Sequence, residues 1–294
     1  MEGASRTRIY LLLFLAAIIW GFQPVTLKWL LPEWSPETIT TVRLFLFGGM
    51  LLAESYRRER EKMLPDRQTV LMLLVMGGCY MLNNVLQFTG LRYTTVTNTT
   101  LIVATGPVLT AVLAGIFMRE RLSLLSKIGV IVSLAGTFVV ISDGNPAMIS
   151  NIDFNIGDLL CFLAQLSWTG YSLFSIGLMK KLSVLTVTGW SALFSAFFTG
   201  GYGIIENGIS ITPLSPLAAG AFCYIVFLGG IIATIAWNEG IKTAGASITS
   251  MFLYIMPVVG MLSGWLILDE YIDLVKLCGA AAIFLGVFMT THSN

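Results

Sequence analysis

The chain has 294 residues, of which 56% are hydrophobic and only 11% charged, with a mean hydropathy of +0.83 and a formal net charge of +1. An average soluble domain is roughly 45–50% apolar and about 25% charged, so a water-soluble globular protein is excluded and an all-α integral membrane protein is indicated. The near-neutral balance says nothing about partners.

A helical crossing of the hydrocarbon core needs about 20 apolar residues. Ten such stretches follow one another, at 9–27, 38–53, 70–91, 96–118, 122–141, 156–179, 184–205, 216–241, 247–268 and 272–290. The first follows Arg6 and Arg8, but it is too long for a signal peptide and lacks a small-x-small site before Trp20, so it is expected to stay in the mature chain. The second carries Arg43, read as snorkelling to the interface or ion-paired in preference to binding a substrate carboxylate. Asn83, Asn84 and Gln87 share one face of the third, through their spacing of three and four. A tight turn at 92–95 leads into the fourth, which holds Asn98 and Pro107. The sixth carries Gln165, Trp168 and Tyr171, the eighth Trp237, Asn238 and Glu239, and the ninth Tyr254 and Pro257. The longest polar connections, 55–69 and 142–155, are too short to fold as domains, which leaves no soluble catalytic or nucleic-acid-binding module.

Chemistry is further narrowed by what is missing. Cys79, Cys161, Cys223 and Cys278 lie inside apolar stretches without metal-binding spacing and read as small buried hydrophobes. The only histidine, His292, sits in the tail, so a buried Ser-His-Asp or zinc–histidine site has no histidine to use. With no G-x-S-x-G, H-E-x-x-H or G-x-x-x-x-G-K-[ST] pattern, neither an intramembrane enzyme nor ATP hydrolysis is favoured, and no cofactor or metal is expected.

Numbering the connections alternately places thirteen of the 17 Lys and Arg residues on the side of the N-terminus, against Lys28, Arg92 and Lys276 on the other. By the positive-inside rule both termini are expected in the cytoplasm of a multi-pass cell-membrane protein.

The chain also repeats itself. "PVLTAVLAGIFMRERLS" from Pro107 returns as "PVVGMLSGWLILDEYID" from Pro257, and an offset of 150 matches Gly90 to Gly240, Glu120 to Glu270, Gly129 to Gly279, Gly136 to Gly286 and Phe138 to Phe288 without a gap. Trp20 lines up less closely with Trp168. Two copies of five spans follow, 1–145 and 146–294, and an odd number of spans forces the second copy to enter the membrane inverted. Ten transmembrane helices in two inverted five-helix repeats enclose a cavity at mid-bilayer that either side can open.

The ten-span layout, "WG" at Trp20, "LRYTTVTNTTLI" before the first repeat motif and "EGIKTAGASITSMFLYIMPVVGMLSGWLILDE" resemble the EamA-like branch of the drug/metabolite transporter superfamily. The resemblance covers essentially the whole chain. It implies a carrier of amino acids, their analogues, other small metabolites or toxic cations, mostly outward. It also implies a cavity walled by the first, third, fourth, sixth, eighth and ninth spans, with the fifth and tenth outside. Glu239 departs from the resemblance, since relatives commonly have an apolar or small residue there.

Taken singly, Pro107 and Pro257 are static kinks or matched hinges. Gln23, Asn83, Asn84, Gln87, Asn98 and Gln165 are expected to point inward, as interhelical hydrogen-bonding groups or as cavity lining, because an unpaired polar group at membrane depth is costly. Trp20, Trp168, Tyr171, Trp237 and Tyr254 offer aromatic surface for a ring or cation, with a place in the core or against lipid as the favoured alternative for any one of them. Glu120 and Glu270 close their spans at the interface, where an acid costs little, and beside "RER" a local ion-pair cluster capping the loop is expected. Glu239, with Asn238 beside it, either pairs with Lys242 or serves the cavity, by binding a substrate amine or carrying a coupling proton. The expected function is a secondary carrier of small organic solutes, an exporter of amino acids or related metabolites, with the small-molecule substrate and the lipid bilayer as its partners. A passive channel and an intramembrane enzyme are the alternatives.

Overall fold

A computed structural model describes residues 2–59, 65–117, 123–142, 144–145, 155–206 and 209–291. All regular structure among them is helical: α1 (Glu2–Leu30), α2 (Pro36–Glu59), α3 (Arg67–Gly90), α4 (Val96–Val103), α5 (Gly106–Phe117), α6 (Leu124–Ile141), α7 (Ile156–Leu178) and α8 (Val184–Glu206). The remainder is α9 (Pro216–Cys223), a π-helical segment (Tyr224–Ile232), α10 (Ala233–Ala244), α11 (Ala246–Met251), a 3₁₀ turn (Phe252–Tyr254), α12 (Ile255–Leu268) and α13 (Leu274–Thr291).

Seven stretches among the described residues are long and apolar enough to cross a membrane: Thr7–Leu30, Arg67–Gly90, Val96–Leu113, Ile156–Leu178, Val184–Glu206, Pro216–Ala244 and Ile248–Leu268. Lys127–Val140 and Leu274–Gly286 are apolar but shorter. The stretch expected at 38–53 lies within α2, whose Thr38, Thr40, Thr41 and Arg43 lower its apolarity.

Helix starts are set by side chains that satisfy the first free amides. Asp66 accepts from the Thr69 amide at 2.7 Å, Thr95 from Asn98 at 3.0 Å, and Asn155 from Gly157 at 2.8 Å. Ser215 caps α9, with Pro216 at a position where proline costs no hydrogen bond.

α6 and α13 lie against each other, and a Cβ at Gly136 would stand 2.7 Å from the Ile283 amide nitrogen and 2.8 Å from the Gly279 carbonyl. That backbone-on-backbone contact needs small residues, the usual route to helix association in lipid. The remaining helices enclose the main core, with α2 against α8, α3 and the π segment, α3 against α7, and α1 against α10 and α12. Leu13, Phe47, Leu73, Met76 and Tyr171 are among its buried side chains.

Three helical paths are interrupted. α4 gives way to α5 at Ala104 and Thr105, α9 passes into the π segment, and the 3₁₀ turn precedes α12. Pro107 and Pro257 stand just after two of these breaks. Each lies in the first turn of its helix, where the missing N–H costs least, and the residues four positions earlier are Val103, which ends α4, and Leu253, in the 3₁₀ turn. Irregular backbone at membrane depth is tolerated where protein buries it or where it borders a cavity.

Candidate functional site

Both of those residues do border one. A cavity of about 530 Å³, counting the space that opens to solvent, is walled by α1 (Trp20, Gln23, Pro24), α2 (Arg43), α3 (Tyr80, Asn83, Asn84, Gln87), the end of α4 (Val103) and α7 (Gln165, Trp168). Thr234, Leu253 and Met256 complete the wall. The spacing 80, 83, 84, 87 is one continuous face of α3.

Two glycines make room for its amides. A Cβ at Gly229 would collide with Gln23 Oε1, and one at Gly106 would lie 2.6 Å from Gln165 Nε2. Gln23 Oε1 and Gln165 Nε2 are buried without a hydrogen-bond partner. Asn83 Nδ2 donates to the Ala164 carbonyl at 3.0 Å and so ties α3 to α7. The indole of Trp20 meets that of Trp168 edge-on at 5.5 Å, and its Nε1 donates to the Gly229 carbonyl at 2.9 Å, inside the π segment.

Arg43 corrects the sequence expectation. It does not snorkel: its side chain is buried, residue exposure being 3%, and it lines the cavity. It makes no ion pair among the described residues. Nη1 donates to Asn84 Oδ1 at 3.1 Å, and Asn84 is oriented for this because its own Nδ2 donates to the Tyr80 carbonyl at 2.8 Å. The guanidinium carbon lies 5.9 Å from the Phe47 ring centre and 5.7 Å from that of Phe88, while Nε has no partner.

Six of the residues expected around the cavity are placed off its wall. Tyr171 stacks behind Trp168 at 4.8 Å, and its hydroxyl accepts from Asn238 Nδ2 at 2.9 Å. Asn238 also donates to Thr188 at 2.7 Å, and Trp237 donates from Nε1 to Ser172 at 3.3 Å while packing 5.4 Å from Trp20. These three form a second layer that holds the aromatic wall. Asn98 turns toward α7 and donates to Asp158 at 3.1 Å. Tyr254 meets Phe284 of α13 edge-on at 5.9 Å. Glu239 is half-buried at α10, and the expected ion pair with Lys242 is not formed.

The model of the EamA-like transporter family matches the chain twice, at residues 7–142 and 155–292. The chain belongs to the EamA-like transporter family. Relatives of this transporter are themselves named as transporters without a stated substrate. The uncharacterized transporter YyaM of Bacillus subtilis is 27% identical over 285 residues, covering 95% of this chain and 92% of the relative. An uncharacterized transporter of Archaeoglobus fulgidus is 24% identical over 286 residues, covering 97% and 98%. The uncharacterized inner membrane transporter YicL of Salmonella typhimurium is 23% identical over 283 residues, covering 94% and 92%. One solved crystal structure shares the fold, with a TM-score of 0.70 at 18% identity over 97% of each chain. Family and relatives alike are named as transporters, and not as enzymes.

In this transporter the face opposite the N-terminus is joined by side chains that bridge distant segments. Glu270, just after α12, accepts from the Val96 amide at 2.7 Å, the Thr97 amide at 2.9 Å and the Thr97 hydroxyl at 2.8 Å. The acid expected at the interface caps α4, where the helix dipole also favours it. Its repeat mate, Glu120, lies outside the described residues. Beside this cap, Lys28 Nζ donates to the Thr94 carbonyl at 2.6 Å and the Thr94 hydroxyl donates to Asp158. Glu33 accepts from the Ser215 amide at 2.8 Å and from its hydroxyl at 2.5 Å. These bonds hold the exposed Glu33 carboxyl below the usual carboxylate range.

Sequence reasoning did not find Tyr80, Thr234 or Asp158. Tyr80 was within reach of the spacing that found Asn83, one turn further back on the same face. Asp158 had the weaker signal of an acid in the first turn of an apolar helix.

Proposed function

We propose that the chain is a secondary active carrier that moves small organic solutes across the cytoplasmic membrane by alternating access, exporting amino acids or related metabolites. The observation that carries this reading is the cavity itself. It is lined by amides, aromatic rings and one buried arginine, and flanked by two broken helices whose prolines, Pro107 and Pro257, stand 150 positions apart in a duplicated chain. A cavity between such half-helices is the usual binding place in transporters built from inverted repeats.

Pro107 and Pro257 act as paired hinges, and the seal formed by Glu270, Thr97, Lys28 and Asp158 closes the outward gate. Both termini face the cytoplasm, in keeping with the distribution of Lys and Arg. The chain has no nucleotide-binding loop, so a gradient drives transport. Glu239, half-buried and without Lys242 as an ion-pair partner, carries the coupling proton.

Counterflow into proteoliposomes preloaded with a pool of unlabelled amino acids tests the reading. Saturable accumulation of a labelled amino acid is the expected result. Flux that does not saturate would indicate a channel, and no uptake of any solute would refute transport of this class.

A further inference from the structure

We propose that Arg43 is the binding group for a carboxylate on the transported solute, so that the cavity selects organic molecules that bear one carboxylate and are monoanionic or zwitterionic as a whole. This deepens the carrier reading and rests on it for the word transported; the binding site is argued from the cavity alone.

A guanidinium at membrane depth is expensive, and proteins keep one there when it is paired or when it works on a ligand. Arg43 has no carboxylate partner among the described residues. Its surroundings are an amide oxygen, two aromatic rings and the Tyr80 side chain. The guanidinium offers five N–H donors in a rigid fork. Asn84 takes one and the Tyr80 side chain engages another, Nε is unpaired, and the side chain forms part of the cavity wall. A carboxylate is the ligand whose two oxygens match two parallel N–H groups of that fork.

The rest of the wall narrows the class. Arg43 is the one charged residue among those lining the cavity, so a solute with net positive charge would face uncompensated repulsion in a low-dielectric pocket. A phosphate dianion would want a second cation, and Lys28 and Arg92 are engaged with backbone carbonyls on the outer connections instead. Elsewhere on the wall, Gln23 Oε1 is a buried, unused acceptor suited to an ammonium or hydroxyl. Trp20, Trp168, Leu253 and Met256 supply apolar surface for the body of the molecule.

The test uses the purified full chain and matched probes that differ at the carboxylate: phenylacetate against phenylacetamide, and phenylalanine against phenylalaninamide. Binding is read as saturable quenching of tryptophan fluorescence, since Trp20 and Trp168 line the cavity. Each carboxylate is expected to bind at least tenfold more tightly than its amide. Arg43→Gln should abolish that preference and Arg43→Lys should keep part of it. Asn84→Asp places an acid against the guanidinium and should remove carboxylate binding with Arg43 still present, which covers the case in which Arg43→Gln fails to fold.

Equal binding of carboxylates and amides by the wild type, no binding of either carboxylate, or an unchanged preference in Asn84→Asp would overturn the proposal. Counterflow is measured on the same preparations. A wild type that binds carboxylates through Arg43 yet exchanges no solute would uphold the binding group and overturn the carrier.

Discussion

Glu270→Ala should loosen the outward seal, by an amount that the geometry allows to be worked out. The carboxylate accepts three bonds at 2.7, 2.9 and 2.8 Å at the start of α4. Charge-assisted bonds of this kind contribute about 1.5–3 kcal/mol each where water cannot replace them. Glu270 is only half-buried, so water recovers much of that, and the closer guide is a lost N-cap at about 0.5–2 kcal/mol with a helix-dipole contribution of about 0.3–1 kcal/mol. A net loss near 2 kcal/mol moves a closed–open equilibrium roughly 30-fold toward open. Thr97→Val removes one of the three donors, and a loss of about 1 kcal/mol predicts a shift of roughly 5-fold. The assay is the rate at which a membrane-impermeant maleimide, added on the side opposite the N-terminus, labels Gln87→Cys on the cavity wall. Cys79, Cys161, Cys223 and Cys278 are replaced by serine for the measurement. With the open form in the minority, labelling should accelerate by about the factor given, and labelling from the other side should slow. A lower melting temperature with unchanged labelling from both sides would refute the reasoning, leaving Glu270 as a helix cap and nothing more.

Gly106→Ala puts a Cβ 2.5 Å from Leu253 Cδ1 and 2.6 Å from Gln165 Nε2, both ends of flexible side chains, so those side chains should swing while the helices stay. Melting should change little and carboxylate affinity in the quenching titration should fall about tenfold, or about 1.4 kcal/mol. Glu239→Gln should leave that titration unchanged, because Glu239 is off the cavity wall, and should abolish the pH dependence of counterflow; an unaltered pH profile would remove the coupling role. The Glu33–Ser215 contact belongs to a group whose carboxyl is held below its ordinary range, so its contribution is present above the unfolded value and disappears as pH falls through the lower folded one. Hydrogen exchange at the Ser215 amide should therefore stay slow down through the ordinary carboxylate range and quicken only below it, and in Glu33→Gln this pH step should vanish.

The amides of α1, α3 and α7 were legible because cost announces them. Gln23, Asn83, Asn84, Gln87 and Gln165 sit where an unpaired polar group is penalised, which forces them inward, and all five line the cavity. The same reasoning has no way to measure depth behind the wall. Asn238 meets the inward rule by bonding Tyr171 and Thr188, and Asn98 meets it by bonding Asp158, each on a different helix far away in sequence. Spacing within one helix gives a face but not the partner that faces it. The Glu270 cap was hidden for a similar reason, since its acceptor role depends on α4 arriving from a segment 173 positions earlier.

Arg43 is the instructive case, because the sequence did hold a signal. Snorkelling presumes that lipid surrounds the part of the helix where the cation sits. The first turns of α2 read Thr38, Ile39, Thr40, Thr41, Val42 and Arg43, a stretch whose polarity, with the charges at both ends of the helix, lowers the apolarity of α2, which is not among the strongly apolar spans. A threonine-rich turn gains little from lipid, and in a helix between more apolar neighbours it faces protein. Thr38, Thr40, Thr41 and Arg43 are all buried, packed where α2 meets α3, α8 and the π segment. The rule that follows is a physical one: when the least apolar helix of a membrane bundle carries a lone cation on its polar stretch, the cation belongs to the interior. What it pairs with there is the question that the carboxylate titration answers.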